Sequence, residues 1–530
     1  HPSEALHNGF GFFYTTGLFY QKETRLKYPA PMYDSSGTGP DCFFIRFSHF
    51  NPEKTMRTFY LLCLFLFLAP VFSAAQGGTL ADKKRQAKEF FINAHYQDAL
   101  RVLQTAQNNQ QSDRESIFLK ALCLYQLNKL NDAELLFKGL IEEKSAYPES
   151  WLYLARIYHD RHEFLTASDY YKAYLKTLAF NDPNRSGIRD AIRRCSNGIQ
   201  WQFRQPLAIV ENLGPQINTS YDEFGPILSP ASTERLYFSS ARPGSTGGLR
   251  NRSGQPDEVY GRFTSDIFYA QLQNGQWKNT TGLSYTINSP RHEVALDFGL
   301  GGRSLYYFKG NNFSQGQIYV DSTKAGASGG MASDIFYGPV DALAGISAPH
   351  FMNDKTIIFP SQRPGGYGGL DLYKTEFSNG QWSVPQNLGP TINSAYDETT
   401  PFMARDGKSL YFSTNNTELS MGGFDVVKAV FNTYAGNWTR PLNLGMPVNS
   451  AGDETHFRLS RDGYSAYFAS SRKDGMGERD LFAAYFFDYL PEMGAAEPAG
   501  KRPVYVQLVP HPREEPKPTR FLDWTSPDGH

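Results

Sequence analysis

Four dipeptides hold the carboxylates whose recurrence could do chemistry: Asp222-Glu223, His292-Glu293, Asp397-Glu398 and Asp453-Glu454. Two carboxyl groups in unlike environments are the equipment of a glycoside hydrolase, one donating a proton and the other acting as base or nucleophile. A second candidate is His159-Asp160-Arg161-His162, whose imidazoles and carboxylate are metal-ligand types. A third is the run Arg363-Pro364-Gly365-Gly366-Tyr367-Gly368-Gly369, with Arg242-Pro243-Gly244 as a shorter relative, because backbone N–H groups in glycine-rich loops can cradle a ligand. The sequence contains no Gly-x-Ser-x-Gly elbow, zinc-type His-Glu-x-x-His or P-loop.

Each candidate has a plainer explanation. The acidic pair recurs once per repeat unit, and chemistry rarely needs four copies, so the pairs are expected to tie neighbouring units together. A glycosidase would instead set two or three unlike carboxylates around one channel, and such a set should break the repeat. The glycines are expected to let the chain turn before an Asp-led strand, with that Asp accepting N–H bonds from the loop. The His-Asp-Arg-His run falls at a helix-to-helix turn and is expected to be solvated. Arg405-Asp406-Gly407 and Arg461-Asp462-Gly463 are turn residues that only faintly resemble sialidase Asp-boxes, lacking the terminal Thr-Trp. No residue is assigned to catalysis, to a cofactor or to a metal.

The elements that position these residues repeat as well. A unit opens on the acidic pair, continues through a Leu-Tyr-Phe-like strand, a glycine-rich turn and an Asp-led strand, and ends in an Asn-Gly-x-Trp hairpin running into Asn-Leu-Gly. One copy runs Asp397-Glu398, Leu410-Tyr411-Phe412, Gly422-Gly423, Asp425, Trp438, Asn443-Leu444-Gly445. Four short strands recurring at this spacing mean propeller blades. The Leu-Tyr-Phe-like strands are Leu236-Tyr237-Phe238, Leu305 to Phe308, Ile357-Ile358-Phe359, Leu410-Tyr411-Phe412 and Ala466-Tyr467-Phe468. The Asp-led strands start at Asp266, Asp334, Asp371, Asp425 and Asp480. Both sets point to five blades. The second unit has an extra strand-like piece, Gln317 to Asp321, and no clear Trp strand, which leaves six as the alternative. The last unit lacks its outer strand, whereas Pro206 to Gly214 stands unpaired before the first; this strand is expected to close the ring and remove a sheet edge. Asn274-Gly275 and Asn379-Gly380 place positive-φ residues where tight hairpins need them.

From Ala81 to Trp201 the period is helical. Ala87, Ala121 and Ala155 stand 34 residues apart, as do Ala99, Ala133 and Ala167. Tyr96, Leu130 and Phe164 form a third row, and Leu103, Phe137 and Tyr171 a fourth. Small residues at this period, where helices cross, with large ones in the next layer, are the tetratricopeptide signature. Pro148 separates the second and third copies, and Arg185 to Asn197 is expected to be a capping helix. The groove lined by the first helix of each pair suits an extended segment or a partner helix.

The fold class is therefore multidomain, an all-α tetratricopeptide array over 76–201 followed by an all-β propeller over 202–490. With 40% hydrophobic and 15% aromatic residues both parts can build cores, and a net charge of −1 offers no general field for nucleic acid or an anionic membrane. Arg57, the uncharged Leu- and Phe-rich run Phe59 to Phe72, and Ser73-Ala74-Ala75 read as a signal peptide over 56–75, cut to leave Gln76. Cys63 lies inside the apolar run, so no lipoprotein signal is visible. Residues 1–55 read as upstream read-through; the rival is a cytoplasmic tail with the apolar run kept as an anchor. The two remaining cysteines, Cys123 and Cys195, are expected to be buried thiols, a single disulfide between them being the alternative. Residues 491–530 are rich in Pro and charge, with Val504 to Val509 strand-like, and read as a linker cut before a further domain or as a natural tail.

Several of these features have a familial look. The third helical copy, with Trp151, Leu154, Ala155, Tyr158, Ala167 and Tyr171, resembles the tetratricopeptide family most closely, with Ala where Gly is usual. Ser460 to Phe468, as Ser-Arg-Asp-Gly-(x)3-Tyr-Phe, and Gly368 to Tyr373, as Gly-Gly-Leu-Asp-Leu-Tyr, resemble the WD40-like repeat of TolB-type propellers. Signal peptide, helical repeats and propeller in this order resemble the outer-membrane-associated, PorE-like proteins of the type IX secretion system. That resemblance covers Gln76 to Leu490 and implies a periplasmic, outer-membrane-associated, non-enzymatic protein. Its expected partners are envelope proteins, secretion-machinery subunits among them, and it uses no cofactor. The family continues into a β-sandwich and an OmpA-like peptidoglycan-binding domain, so no peptidoglycan contact transfers to any residue here. The resulting expectation is an exported scaffold; the alternative is a glycan-binding or glycan-hydrolysing propeller.

Overall fold

The computed structural model describes residues 79–489, apart from 108–112, 144–146, 231, 249–262, 300–301, 303, 313–314, 323–332 and 342–347. The signal segment 56–75, the 1–55 stretch and the 491–530 segment lie outside the described residues.

Among the described residues seven helices come first: α1 (Leu80–Ile92), α2 (Tyr96–Gln107), α3 (Arg114–Gln126), α4 (Leu130–Glu142), α5 (Glu149–Asp160), α6 (Phe164–Thr177) and α7 (Arg185–Trp201). Thr79 caps α1 in a capping box with Asp82, and Asp113 caps α3 by accepting the Ser116 N–H. Each helix packs on the next. All six alanines of the two 34-residue rows are fully buried, because a close helix crossing has room for a Cβ and little more. Phe137 and Tyr171 fill the layer behind them. The turns repeat too: Ala94, Asn128 and His162, again 34 apart, all take left-handed φ of 58–62°. In each turn the following N–H reaches back five residues, His95 to Phe90 O, Lys129 to Leu124 O and Glu163 to Tyr158 O, which closes the preceding helix. Cys123 and Cys195 are free, buried and in different hydrophobic clusters, so the alternative of a disulfide between them falls away.

The strands then form five sheets. Blade 1 comprises Glu223–Ser229, Ser232–Ser240, Asp266–Gln273 and Gln276–Gly282. Blade 2 comprises His292–Phe298, Ser304–Asn312, Gln315–Ser322 and Asp334–Ile335. Blade 3 runs His350–Asn353, Thr356–Ser361 and Asp371–Ser378, with a fourth strand broken into Gln381–Trp382 and Gln386–Asn387. Blade 4 repeats that plan with Glu398–Met403, Ser409–Thr414, Asp425–Asn432, Asn437–Trp438 and Leu442–Asn443. Blade 5 has Glu454–Leu459, Ser465–Ser470 and Asp480–Phe486, and its fourth strand is Ala208–Asn212, antiparallel to Asp480–Phe486 from Ala208 opposite Phe486 to Asn212 opposite Phe482. The N-terminal strand thus closes the ring, and five sheets account for all described strands.

One expectation needs correction. Asp334 does not lead a third strand equivalent to those at Asp266, Asp371, Asp425 and Asp480. The third strand of blade 2 is Gln315–Ser322, which contains the extra strand-like piece Gln317 to Asp321, and Asp334–Ile335 is the short outer strand pairing with it. The blade count survives because two misplacements within one unit cancel. The Asn-Gly hairpins behave as expected, with φ of 52° and 74° at Asn274 and Gly275 and 51° and 80° at Asn379 and Gly380.

Candidate functional site

The acidic pairs divide their work between neighbouring blades. The first member reaches the glycine-rich loop of the preceding blade. Asp397 accepts the Leu370 N–H at 2.8 Å, Asp453 accepts the Phe424 N–H at 2.9 Å, and Asp222 accepts two bonds of 2.6 Å from the Arg479 guanidinium. The second member turns inward. Glu398 accepts the N–H and hydroxyl of Ser394 and the hydroxyl of Thr414; Glu454 does the same with Ser450 and Ser470, and Glu223 with Thr219 and Ser240. The residue before that Ser or Thr is always Asn. Asn218, Asn288, Asn393 and Asn449 each accept the N–H and donate to the carbonyl of one third-strand residue in the preceding blade, Leu481, Ile267, Leu372 and Val426 respectively. Asn-Ser followed by Asp-Glu is therefore a blade-to-blade clamp whose carboxylates are already engaged; the repetition predicts this for the acidic pair and not for the Asn.

The glycine-rich loops bind their own chain. Asp371 accepts N–H bonds from Tyr367 and Gly368, Asp425 from Met421 and Gly422, and Asp480 from Met476 and Gly477. Gly422 and Gly477 have no room for a side chain, since a Cβ on either would collide with carbonyl oxygens of the next blade's entry loop.

Burial lifts the Glu398 carboxyl from 4.5 to about 7, although its hydrogen bonds pull the other way. Between those pH values the native protein keeps a proton that the unfolded chain has released, so stability falls as pH rises through this window and the loss is complete above it. Glu398→Gln titrates nothing there. We expect the wild type to lose ~1–3 kcal/mol more unfolding free energy than E398Q between pH 5 and pH 8, read from urea titrations at both pH values. Equal losses would show that Glu398 ionises at its ordinary pH.

What breaks the repeat lies at the axis. The first strands of the blades pack on one another around the centre. Strand register assigns one position per blade as equivalent: Ile227 opposite Tyr237, Asp297 opposite Tyr306, His350 opposite Ile358, Phe402 opposite Tyr411 and Arg458 opposite Tyr467. Four of these side chains, those of Asp297, His350, Phe402 and Arg458, meet. His350 Nδ1 is 2.5 Å from Asp297 Oδ2, the His350 and Phe402 rings are 5.0 Å apart, and the Arg458 guanidinium lies 5.5 Å from the Phe402 ring centre and 3.9 Å from Asp297. Arg458 also donates to Pro401 O in blade 4 and Leu296 O in blade 2, so it crosses the axis to a blade that is not its neighbour. Burial opposes charge on Asp297, yet His350 and Arg458 outweigh it and hold the carboxyl below its usual range. Among the described residues this position thus holds one carboxylate, paired with His350 and Arg458, where a glycosidase uses two carboxyl groups in unlike environments. Sequence reasoning missed this set. The signal was available as charged residues in strands whose counterparts in other repeats are apolar, but it needed the strand register to align them.

The helices grip the propeller at blade 4. Met421, at the tip of that blade's glycine-rich loop, is fully buried in the helical cluster of Leu152, Ala155, Phe164, Tyr171 and Cys195. His159 Nε2 lies 2.7 Å from the Met421 carbonyl oxygen, Arg194 donates to Asn415 O at 2.9 Å, and Asn197 donates to Thr417 O and Ser420 O. Trp201 packs on Gly445, where a Cβ would stand 2.8 Å from the ring. Asn128 donates to Lys473 O, and the Lys473 ammonium sits 5.0 Å from the Tyr125 ring centre. His159-Asp160-Arg161-His162 is thus a helix end and turn, as expected, but not a solvated one. Burial against the propeller drives the His159 imidazole down to about 4 and the Asp160 carboxyl up to about 6. Among the described residues no group of three or more His, Cys, Asp or Glu could hold a metal ion. A cleft of about 520 Å³ lies beside the joint, lined by Asn128 to Asp132, Arg161 and Lys473.

The chain is a helical array locked onto a five-bladed β-propeller. No protein-family model matches it, and no curated protein does. Solved structures similar to it include TolB from Acinetobacter baumannii, at 13% identity over 57% of this chain and 71% of that one, TM-score 0.28. An alpha-L-arabinofuranosidase from Lactobacillus brevis is similar at 12% identity over 52% and 96%, TM-score 0.32. The NanB sialidase of Streptococcus pneumoniae is similar at 9% over 55% and 58%, TM-score 0.29. No helix among the described residues is long and apolar enough to cross a membrane.

Proposed function

We propose that the protein is an exported, periplasmic and outer-membrane-associated scaffold that holds other envelope proteins and has no enzymatic activity. In this reading residues 56–75 are a removed signal peptide, 76–201 a tetratricopeptide array and 202–490 a WD40-like, TolB-type propeller. The observation that carries it is the fate of the polar residues. Every repeated carboxylate is engaged between or within blades, and the axial position supplies a single carboxylate already paired with His350 and Arg458. What remains for function is surface, on a helical groove and a propeller face held in one fixed relation. Envelope partners, with type IX secretion subunits first among them, fit that architecture by its resemblance to the PorE-like order of domains.

The mature chain, beginning at Gln76 by mass spectrometry, should recover defined envelope proteins from crosslinked cells and be inert on glycosides and peptides. Asp297→Asn should lower stability and alter no turnover, because it removes charge from a buried network. Hydrolysis of an envelope glycan by the purified protein, lost in D297N at unchanged melting temperature, would replace the scaffold with a glycan-active enzyme.

A further inference from the structure

We propose that the seam between blades 1 and 2 is an acid-sensitive link in the ring, closed while His292 is neutral and released locally when that imidazole takes up a proton. The inference is independent of what the propeller holds.

At two other seams the link is made by a carboxylate. Leu370 and Phe424 each stand just before the Asp that leads the third strand, and each donates its N–H to the first member of the next blade's acidic pair, Asp397 at 2.8 Å and Asp453 at 2.9 Å. Ser265 is the corresponding residue of blade 1. Its N–H donates to His292 Nδ1 at 3.2 Å, and its hydroxyl oxygen lies 3.2 Å from the same nitrogen. The two kinds of acceptor differ in chemistry. A carboxylate has two accepting oxygens, and Asp397 uses one for the Leu370 N–H and the other for the Asn415 amide. An imidazole nitrogen accepts only while it carries no proton. A backbone N–H can only donate, so the contact requires a lone pair on Nδ1, and protonating His292 leaves two N–H groups facing each other.

Two further departures from the repeat fall at the same seam. Strand register sets Glu293 opposite Lys309, whose ammonium is 3.5 Å away, whereas Glu223, Glu398 and Glu454 stand opposite Ser240, Thr414 and Ser470 and accept their hydroxyls. Gly282 stands where Asn212, Asn387 and Asn443 donate an amide to Asp480, Asp371 and Asp425. Among the described residues Asp266, which leads the third strand of blade 1, keeps one buried oxygen, Oδ1, without a hydrogen-bond partner. The Asn288 clamp on Ile267 and the bond from the Glu293 N–H to Ser265 O remain, which confines the release to the His292 side of the seam.

Burial also disfavours the proton. It brings the His292 imidazole down to about 4 against the pull of Asp222, the carboxylate at the entry to blade 1, which is itself held by Arg479. A released imidazole titrates near its ordinary 6.5, so the closed link loses stability as pH falls from 6.5 towards 4. Glu293, which faces Lys309 and Asp266, is raised by burial to about 7 and shifts stability the opposite way. A test must therefore alter His292 and leave Glu293 in place.

Hydrogen–deuterium exchange of the full chain, read by mass spectrometry at pH 7 and pH 5, provides it. The Ser265 amide reports the link, and the Leu370 amide, held by Asp397, is the internal reference that cancels the intrinsic pH dependence of exchange. Protection at Ser265 relative to Leu370 is expected to fall about twentyfold from pH 7 to pH 5 in the wild type. It should stay constant in His292→Asn, whose amide oxygen accepts the N–H at either pH and adds no charge beside Asp222. His292→Asp, which copies Asp397 and Asp453, should behave as H292N does and serves as the second variant where H292N is poorly folded. A constant ratio in the wild type, or a fall of the same size in the variants, would overturn the proposal.

Discussion

Removing residues 205–214 is expected to abolish cooperative unfolding of the propeller or lower its melting temperature by about 10 °C or more, the largest effect of any short deletion in the molecule. The strand Ala208–Asn212 supplies the fourth strand of blade 5, and without it Asp480–Phe486 becomes an open edge. More is lost than one ladder. Asn212 donates to Asp480 at 2.7 Å, the Leu213 N–H bonds Leu481 O, and the segment leads directly into Asn218 and Thr219, the clamp from blade 5 to blade 1. Ala208→Asp tests the same point without shortening the chain. It would bury a carboxylate in the cluster of Tyr411, Phe457, Phe468 and Phe486, and should cost several kcal/mol, roughly 3–5 by analogy with other uncompensated buried charges. Calorimetry of both variants decides the matter. A melting temperature within about 2 °C of the wild type in each would mean that the ring closes by other means.

Met421→Asp is expected to uncouple helices from propeller. The side chain fills a fully buried socket between α5, α6 and α7, so the exchange combines loss of an apolar side chain, about 2–5 kcal/mol, with desolvation of a carboxylate. The propeller keeps its five sheets, whose core clusters do not include Met421, while the helical cluster of Ala155 and Ala167 does include it and is weakened with the joint. We therefore expect one thermal transition in the wild type to become two in M421D, and limited proteolysis near 202–207, the link between α7 and the closing strand, to release a stable propeller. A single transition at slightly reduced temperature would show that the polar contacts of His159, Arg194 and Asn197 hold the joint alone.

Much of this architecture is legible in the residues because repeats amplify weak signals. A lone alanine says little about a helix, but two rows of three at 34-residue spacing identify a crossing, and all six are buried. Likewise, one Asp-Glu pair suggests chemistry, whereas three such pairs and a His-Glu in register suggest a clamp, and the hydrogen bonds bear this out. Where a unit departs from its pattern, the periodicity misleads. Blade 2 illustrates this, since Asp334 imitates the start of a third strand while the true third strand, Gln315–Ser322, lacks the leading Asp. Hydrogen-bond partners decide strand order, and those partners are remote in sequence.

The sequence by itself determined the helix-then-propeller order, the blade count, the ring-closing strand and the structural use of the acidic pairs, the strand-leading Asp residues and the Asn-Gly hairpins. All of these follow from local periodicity, or from contacts that recur at a fixed offset. Only the tertiary structure decided three other matters. It assembled Asp297, His350, Phe402 and Arg458 at the axis, made His159 and Asp160 part of a buried joint, and covered Met421 while leaving Met476 exposed. The physical reason is common to the three. Each depends on side chains far apart in the chain meeting once, without repetition, and the free energy of an unrepeated contact depends on burial and on the partner's chemistry, neither of which has a period that could be read along the chain.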